Sequence, residues 1–482
     1  MDVLATTNYG QGSEPEPQVC WQAICSRDAR FDGRFFAGAV TTRVYCRSTC
    51  PLPFARPNNI VWFASAAAAE RAGFRPCQRC RSAASPGTPA WFGTSAVVSR
   101  ALRLIAEGAL DDANIEALAD RVGLGPRHLR RLFVEHLGAS PMRIATTRRA
   151  HFARNLIEGT NLPITELAAY AGFRSIRQFN HAIRTTTGES PTQLRRLRGV
   201  PQVTAPGPGL LIRLPYRPPF HWSGLLAFLA SRAVEGVELV RPGIYRRTIE
   251  IGAVVGVVEV RQDAAERQLL VNLELPSYES LMDVVERVRR MFDLAADPFQ
   301  IAEHLSRDST LKPLLTVRPG LRVPGIWDGF EAAVRAILGE RLPDKTPRAA
   351  LARLVRTFGR AVKTSKAGLT HVFPGPQDLA GANLASVGIR TEQASNITAL
   401  ARAVMKQDLR FETSMNLEDA VARLRVVRGI SCPMAEYIAM RAFGEPDAFP
   451  VPAGQVPQNA AAWRPWRAYA AIYLWGANFR NR

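Results

Sequence analysis

From Ala448 to Arg482 the sequence contains no aspartate and no glutamate. No side chain in that stretch can work as a carboxylate acid or base. Nowhere in the 482 residues does an uninterrupted apolar run approach the roughly 18 that a membrane-crossing helix needs, which excludes a transmembrane helix and a membrane partner. The opening MDVLATTNYGQGSEPEPQ lacks a basic segment followed by an apolar core. That excludes a secretory signal, and residues 1–18 read as a polar, mobile arm. The seven cysteines are Cys20, Cys25, Cys46, Cys50, Cys77, Cys80 and Cys432, with none between Cys80 and Cys432. An odd count without a signal argues against a disulfide framework and for a reduced cytoplasm. Acidic residues are scarce overall: 42 Asp and Glu against 62 Lys and Arg leave a net charge of +20. That balance favours a polyanionic partner, most simply nucleic acid, over a plain solubility bias.

What is present supports several domains. The apolar share of 47% suffices for real cores, and the length predicts three or four domains at about 100–200 residues each. YCRSTC supplies Cys46 and Cys50, and FRPCQRC supplies Cys77 and Cys80. Two close pairs separated by a segment long enough to fold back suit tetrahedral thiolate ligation of Zn²⁺; four unrelated buried thiols are the alternative. FFAGAVTTRVYC and NNIVWFAS are rich in β-branched and aromatic residues and read as strands. SAAAAERAGF reads as a short helix capped by Ser65 and ended by Gly73.

The stretch from FDGRFFAGAVTTRVYCRSTC to FRPCQRC resembles the N-terminal domain of the Ada alkylation-response regulators, over about residues 19–82. The resemblance implies that Cys46 is both a zinc ligand and a suicidal nucleophile. It would take a methyl group from a methylphosphotriester in the DNA backbone, with Cys50, Cys77 and Cys80 as the other ligands. Zinc holds such sulfurs as thiolates at neutral pH. Methylating one changes the site from about −2 to about −1, which removes repulsion from DNA phosphates and tightens binding. The family's DNA contacts carry over to Thr42 and Arg75. After the second cysteine the family has a basic stretch, where PLPFARP offers only Arg56. Cys20 and Cys25 lie outside the ligand pattern and read as helix residues.

SAASPGTP (Ser82–Pro89) is a linker by composition. A pattern then occurs twice, as IEALADRVGLGPRHLRRLF from Ile115 and ITELAAYAGFRSIRQFNHAI from Ile164. Each has an apolar helical stripe, a glycine at the turn (Gly123, Gly172) and a good first residue for the next helix (Pro126, Ser175). Both units close on Ser-Pro, at Ser140–Pro141 and Ser190–Pro191. Helix, short glycine turn and helix is the helix-turn-helix pattern. The second helices carry Arg127, His128, Arg130 and Arg131, then Arg177, Gln178, Asn180, His181 and Arg184. These side chains suit base edges and phosphates; a solvated face of a bundle is the plainer alternative. The duplication resembles the AraC-type DNA-binding domain, over about residues 90–199. The partner so implied is double-stranded DNA, and an activator of this type implies RNA polymerase as well.

VTAPGPG marks a further linker, within residues 200–209. The remainder is similar to 3-methyladenine DNA glycosylase II of the AlkA type, on LPYRPPFHWSGLLAFLASRAVEGVE, MFDLAADP, RPGLRVPGIWDGFEAAVRAILGE and WRPWRAYAAIYLW. The residue patterns themselves read as an antiparallel sheet domain (about 210–315) leading into a helical domain (about 316–482). The resemblance implies a helix-hairpin-helix body that flips a damaged base into an aromatic cleft, with Phe228, Tyr437 and Trp475 at cleft positions. As plain core residues these aromatics would need no further explanation.

This sequence departs from the family in several places. VRGISCPMAEYIAM keeps Gly429 and Ile430 of the phosphate-holding hairpin but has Ser431 at its second glycine, an expected backbone cost if φ is positive there. Pro433 replaces a cleft tryptophan and removes an N–H. Glu340 and Arg341 replace neutral cleft positions. GEPDAFP leads to the family's catalytic aspartate, and that position falls on Ala453 without gaps or on Gln455 with a two-residue insertion. Only seven residues separate Gln455 from Trp463, too few for the family's next helix. Asp447 is the nearest remaining acid. No O6-alkylguanine transferase motif (Pro-Cys-His-Arg) occurs.

The sequence thus predicts an α+β multidomain protein: a small four-cysteine zinc domain, an all-α tandem helix-turn-helix domain, an antiparallel-sheet domain and a helix-hairpin-helix glycosylase-like domain. The expected function is an alkylation-damage response in the cytoplasmic nucleoid. Cys46 would act as suicidal methyltransferase and activator switch, beside a glycosylase body that binds DNA through basic residues including Arg464, Arg467, Arg480 and Arg482 and excises poorly. Two alternatives stay open: a bifunctional activator with an active glycosylase, and a DNA-binding regulator whose zinc is purely structural.

Overall fold

The computed structural model describes residues 16–53, 57–77, 79–80, 82, 96–111, 113–160, 162–197, 209–339, 347–364, 366–411 and 417–478. The expectations placed on residues 1–15, on the segments 83–89 and 200–208, and on Arg56, Glu340, Arg341, Arg480 and Arg482 lie outside the described residues.

Helix α1 (Pro17–Cys25) begins two residues before the expected start of the zinc domain at 19, and it contains Cys20 and Cys25 as read. Strands β1 (Phe36–Ala39), β2 (Val44–Cys46), β3 (Ile60–Phe63) and β4 (Arg75–Pro76) form a sheet in the order β3-β1-β2-β4. Its first three strands are antiparallel, and β4 lies parallel to β2. Between β3 and β4, α2 (Ala66–Arg71) starts where the Ser65 side chain accepts the Ala68 N–H at 3.1 Å. It ends before Gly73, whose φ of 82° is left-handed.

Helices α3 (Ala96–Ala106), α4 (Ile115–Val122), α5 (Pro126–Leu137), α6 (Pro141–Gly159), α7 (Ile164–Tyr170), α8 (Ile176–Thr187) and α9 (Pro191–Leu197) follow. The turn chemistry is as the sequence implies. Gly123 and Gly172 adopt φ of 74° and 73°, Pro126 opens α5, and the Ser175 hydroxyl accepts the Gln178 N–H at 3.2 Å. The two Ser-Pro pairs open the next helices rather than closing units. Ser140 caps α6 and Ser190 precedes α9, because proline at a first helical position loses no hydrogen bond.

The body starts with β5 (Leu210–Pro215) and α10 (Trp222–Arg232), then β6 (Glu238–Arg241), β7 (Ile244–Ile251), β8 (Val254–Asp263) and β9 (Gln268–Glu274). These strands make an antiparallel sheet in the order β5-β9-β8-β7-β6. Helices α11 (Leu281–Met291), α12 (Pro298–Leu305), α13 (Leu311–Val317), α14 (Gly329–Leu338), α15 (Arg348–Phe358), α16 (Pro376–Leu379), α17 (Thr391–Met405), α18 (Leu417–Val426), α19 (Cys432–Ala442) and α20 (Arg467–Asn478) complete it.

Packing does not follow the chain's linkers. The first helix-turn-helix unit has its own core, built on Leu118, Leu129 and Phe133. The second shares one core with the sheet: Leu156, Phe179 and Ile183 pack with Ile212, Val271 and Phe292. Helices α12 and α13 pack into the helical core with α14, α17 and α19. Beneath the sheet, buried Arg247 and Arg335 are held by Glu238 and Glu331, with Arg247–Glu331 at 2.9 Å. Removing one member of such a network costs on the order of 3–5 kcal/mol.

Charged contacts join the modules. Arg217, 1% exposed, donates to the Asp32 carbonyl of the zinc domain at 2.9 Å. Arg34 faces Asp297 at 3.5 Å. Arg103 of α3 pairs with Glu445 at 2.8 Å, and Glu107 with Arg290 at 2.8 Å. A cavity of about 140 Å³ lies at that junction, lined in part by Arg103, Glu107, Glu445, Asp293 and Tyr469.

Asp293 accepts the Tyr469 hydroxyl at 2.8 Å, and burial pushes its carboxyl up to about 6. A folded-state value above the unfolded one gives stability that is present at low pH and lost as pH rises through about 6. Asp293→Asn should therefore raise the thermal midpoint near neutral pH, with the gain shrinking as pH falls toward about 4. Thermal melts of both proteins across that range check it, and a gain that grows on acidification contradicts the assignment.

Candidate functional site

Strand β2 delivers Cys46, and the turn after it delivers Cys50. Cys77 follows β4 directly, and its N–H donates to the Tyr45 carbonyl at 2.9 Å, so the parallel β2–β4 pairing brings the two cysteine loops together. The Ser82 hydroxyl locks that junction, accepting the Cys77 N–H at 2.9 Å and donating to the Tyr45 carbonyl at 3.0 Å. The result is a cluster in which Cys46, Cys50, Cys77 and Cys80 place their sulfurs within 4.8 Å of one another. A tetrahedron with zinc–sulfur bonds of about 2.3 Å has sulfur–sulfur edges of about 3.8 Å, so the spacing fits. The donor chemistry fits as well. Four thiols so close together supply the soft sulfur donors that Zn²⁺ takes as thiolates. A divalent ion shared by all four would let them lie together as thiolates. Cys46 keeps 7% exposure and Cys50 none.

Thr42 sits exposed at the tip of the β1–β2 hairpin, and Arg75 is exposed on β4, whose neighbour across the sheet is Val44. Sequence reading passed over Arg43. It occupies the same tip with φ of 53°, is exposed, and lays its guanidinium 5.2 Å from the Phe74 ring centre. Its signal was the short turn between two strand patterns. On the first helix-turn-helix unit, Arg127, His128, Arg130 and Arg131 are all exposed on α5, and Arg130 faces Glu116 at 3.6 Å. On the second, Arg177, Gln178, His181 and Arg184 are exposed on α8 while Asn180 is half-buried. Each set therefore lies on one solvent-facing helix, as base and phosphate contacts require.

The aromatics expected at cleft positions, Phe228, Tyr437 and Trp475, are buried. Phe228 has the Arg232 guanidinium 3.9 Å from its ring centre and Arg441 at 4.9 Å, and Tyr437 accepts a hydrogen bond from Arg441 at 2.5 Å. Trp475, on α20, is buried beside the same helical core. Two guanidinium groups thus lie against the Phe228 ring.

The hairpin between α18 and α19 corrects one expectation. Ser431 has φ of −76° and sits as an extended residue ahead of α19, so it carries no backbone strain. Only Gly429, at φ of 84°, needs glycine; a Cβ there would meet the Asn396 side chain. Pro433 does lie in the first turn of α19 and removes one of its free amides. Downstream, Ala453–Gln455 forms a single 3₁₀ turn, Gln455 is exposed, and a second 3₁₀ turn spans Ala460–Trp463. Among the described residues no α-helix lies between α19 and α20. The segment is pinned instead by Asp308, which accepts the Trp463 indole N–H at 2.9 Å. Asp447, the nearest remaining acid, is held in a two-pronged ion pair by Arg467 at 2.8 and 3.0 Å, with Arg464 at 3.5 Å. Arg467 is thereby committed to Asp447 and is not a free contact for DNA, because tertiary pairing claims it. Sequence reading also missed Glu436, whose carboxylate accepts the Phe449 N–H at 2.8 Å and is raised by burial.

Among the described residues no helix is long and apolar enough to cross a membrane. Fold and cluster together define a DNA-binding zinc protein joined to a glycosylase-type body. Family models match in the same order: the metal binding domain of Ada over residues 19–82, a helix-turn-helix domain over 118–197, and the AlkA N-terminal domain over 211–328. The chain is 39% identical over 476 residues to the probable bifunctional transcriptional activator/DNA repair enzyme AlkA of Mycobacterium tuberculosis, covering 95% of each chain. It is 31% identical to DNA-3-methyladenine glycosylase 2 of Escherichia coli, over 54% of this chain and 95% of that one. It is also 31% identical to the bifunctional transcriptional activator/DNA repair enzyme Ada of the same organism, over 36% of this chain and 48% of that one. The protein belongs to the family of bifunctional activator/DNA repair proteins that join an Ada zinc domain and helix-turn-helix region to an AlkA body.

Zinc at this site is coupled to the folding of a small domain. Chelation should unfold residues 19–82 before the rest of the protein. Hydrogen exchange checks this, and a first domain that keeps its protection after complete metal removal would contradict it.

Proposed function

We propose that the protein senses alkylated DNA through Cys46 and converts that event into stronger promoter binding, while its AlkA body binds DNA without excising bases at a useful rate. The observation that carries the reading is the buried four-cysteine cluster with Cys46 at the end of β2. Zinc bound there would keep the sulfurs as thiolates at neutral pH. The Cys46 sulfur then attacks the methyl carbon of a methylphosphotriester. A sulfur–carbon bond forms, the carbon–oxygen bond breaks, and its electron pair returns to the phosphate as an ordinary diester. The product is a thioether, so the enzyme acts once. One negative charge leaves the site, and the exposed Thr42, Arg43 and Arg75 then meet DNA phosphates with less opposition. The arginines of α5 and α8 supply the sequence-reading surface. As an activator it would act on RNA polymerase as a further partner, in the nucleoid.

For the body, the family position of the catalytic acid falls on the Ala453–Gln455 turn, which has no carboxylate. Asp447 is neutralised by Arg467. A group of that kind contributes about 10²–10⁴ in rate, and nothing on the turn replaces the negative charge that a developing sugar cation needs.

Two measurements decide between this reading and its alternatives. After exposure to duplex DNA carrying methylphosphotriesters, peptide mass spectrometry should find one methyl on Cys46 and none in Cys46→Ser. A chain that stays unmodified would make the zinc purely structural. Release of free 3-methyladenine from methylated duplex DNA should stay near background; brisk release abolished by Asp447→Asn would make the protein an active glycosylase.

A further inference from the structure

The zinc domain rests on the helix-turn-helix pair through one buried carboxylate. Glu70 lies on α2 with its side chain 1% exposed. One of its oxygens accepts the Tyr45 hydroxyl at 3.1 Å and contacts His151 Nε2 at 2.7 Å; the other accepts the Thr147 hydroxyl at 2.8 Å. Thr147 and His151 are one turn apart on α6, the helix that joins the two DNA-reading units. Tyr45 is the residue before Cys46. Its carbonyl ties the two cysteine loops together, and its ring packs edge-on against Phe36. A charge-bearing group with all of its partners on two domains holds those domains in one arrangement, because separating them leaves a buried carboxylate unpaired.

The neighbouring contacts fit the same arrangement. The Ser65 hydroxyl donates to the Leu137 carbonyl at the end of α5 at 2.7 Å. Gly138, next along, is so close to Ala68 that an added Cβ would lie 2.9 Å from the Ala68 Cβ. At the other unit, Arg75 lies against Gly188 at the end of α8. The exposed edge of the zinc domain and the exposed face of α8, with Arg184 one turn from that end, are thus continuous.

We propose that Glu70 is a positioning residue for the methylation switch: it docks the cysteine site onto α6 so that the charge lost at Cys46 is felt by the DNA lying on α5 and α8. The physical need is distance. Charges are screened over roughly 10 Å at 0.1 M salt, so a zinc domain swinging free on its linker would contribute little to DNA held by the helices. This proposal rests on Cys46 being the methyl acceptor.

The test uses the full-length zinc-loaded protein, Glu70→Ala, and Thr147→Val, which removes one partner from the opposite side of the interface. Three quantities are read: methyl incorporation from a short duplex carrying a methylphosphotriester, affinity for an undamaged duplex of mixed sequence before and after methylation, and hydrogen exchange of α2 and of α6 around Thr147–His151. Both variants should bind zinc and accept methyl at the wild-type rate. They should lose the affinity gained on methylation, and interface amides should exchange about tenfold faster. Variants that keep the full gain, or whose interface amides exchange as slowly as in the wild type, overturn the proposal. If no methyl reaches Cys46 in the wild type, the acceptor reading fails and the switch role of Glu70 falls with it; the exchange comparison then reports separately whether Glu70 docks the domains.

Discussion

The first domain depends on one constraint: four sulfurs, each nearly sealed from solvent, must be brought within reach of one shared zinc ion. Its remaining apolar packing is divided into two small clusters, one under α1 and one under α2. Domains of this size bury too little surface to be robust alone, and a metal supplies the missing free energy. The same constraint fixes the β2–β4 pairing, since Cys46 and Cys77 can meet only if Val44 and Tyr45 lie beside Arg75 and Pro76. The exposed hairpin tip at Thr42 and Arg43 hangs from the same short strand β2.

The second feature is how little of the molecule is divided where its sequence is divided. The second helix-turn-helix unit shares a core with the body's sheet, while the first does not. Arg217 reaches from the body into the zinc domain, and Arg103 and Glu107 reach from α3 to Glu445 and Arg290. The body therefore serves as a platform against which the zinc domain and the helix-turn-helix units pack.

Local patterns were legible in the sequence and long-range pairings were not. The cysteine pairs, the Ser65 and Ser175 caps and the glycine turns at Gly123 and Gly172 are set by residues within a few positions of each other, so spacing alone exposes them. Ser431 was misjudged because residue identity does not reveal φ: the serine occupies an extended position before a helix, where glycine has no advantage. Arg467 was counted as free charge because its partner, Asp447, lies 20 residues away and is found only by folding. Glu70 and His151 are separated by 81 residues and by a linker, and nothing in either local pattern marks them. The acid-free stretch from Ala448 to Arg482 was legible because an absence of carboxylates needs no structure to be seen.

The central claim is that one charge change at the cysteine cluster governs how tightly the protein holds DNA. Its most direct test is the affinity of the full-length protein for duplex DNA, measured before and after stoichiometric methylation across a series of salt concentrations. The account predicts tighter binding after methylation, with a gain that shrinks as salt rises. A gain that is the same at every salt concentration, or no gain at all, would contradict it.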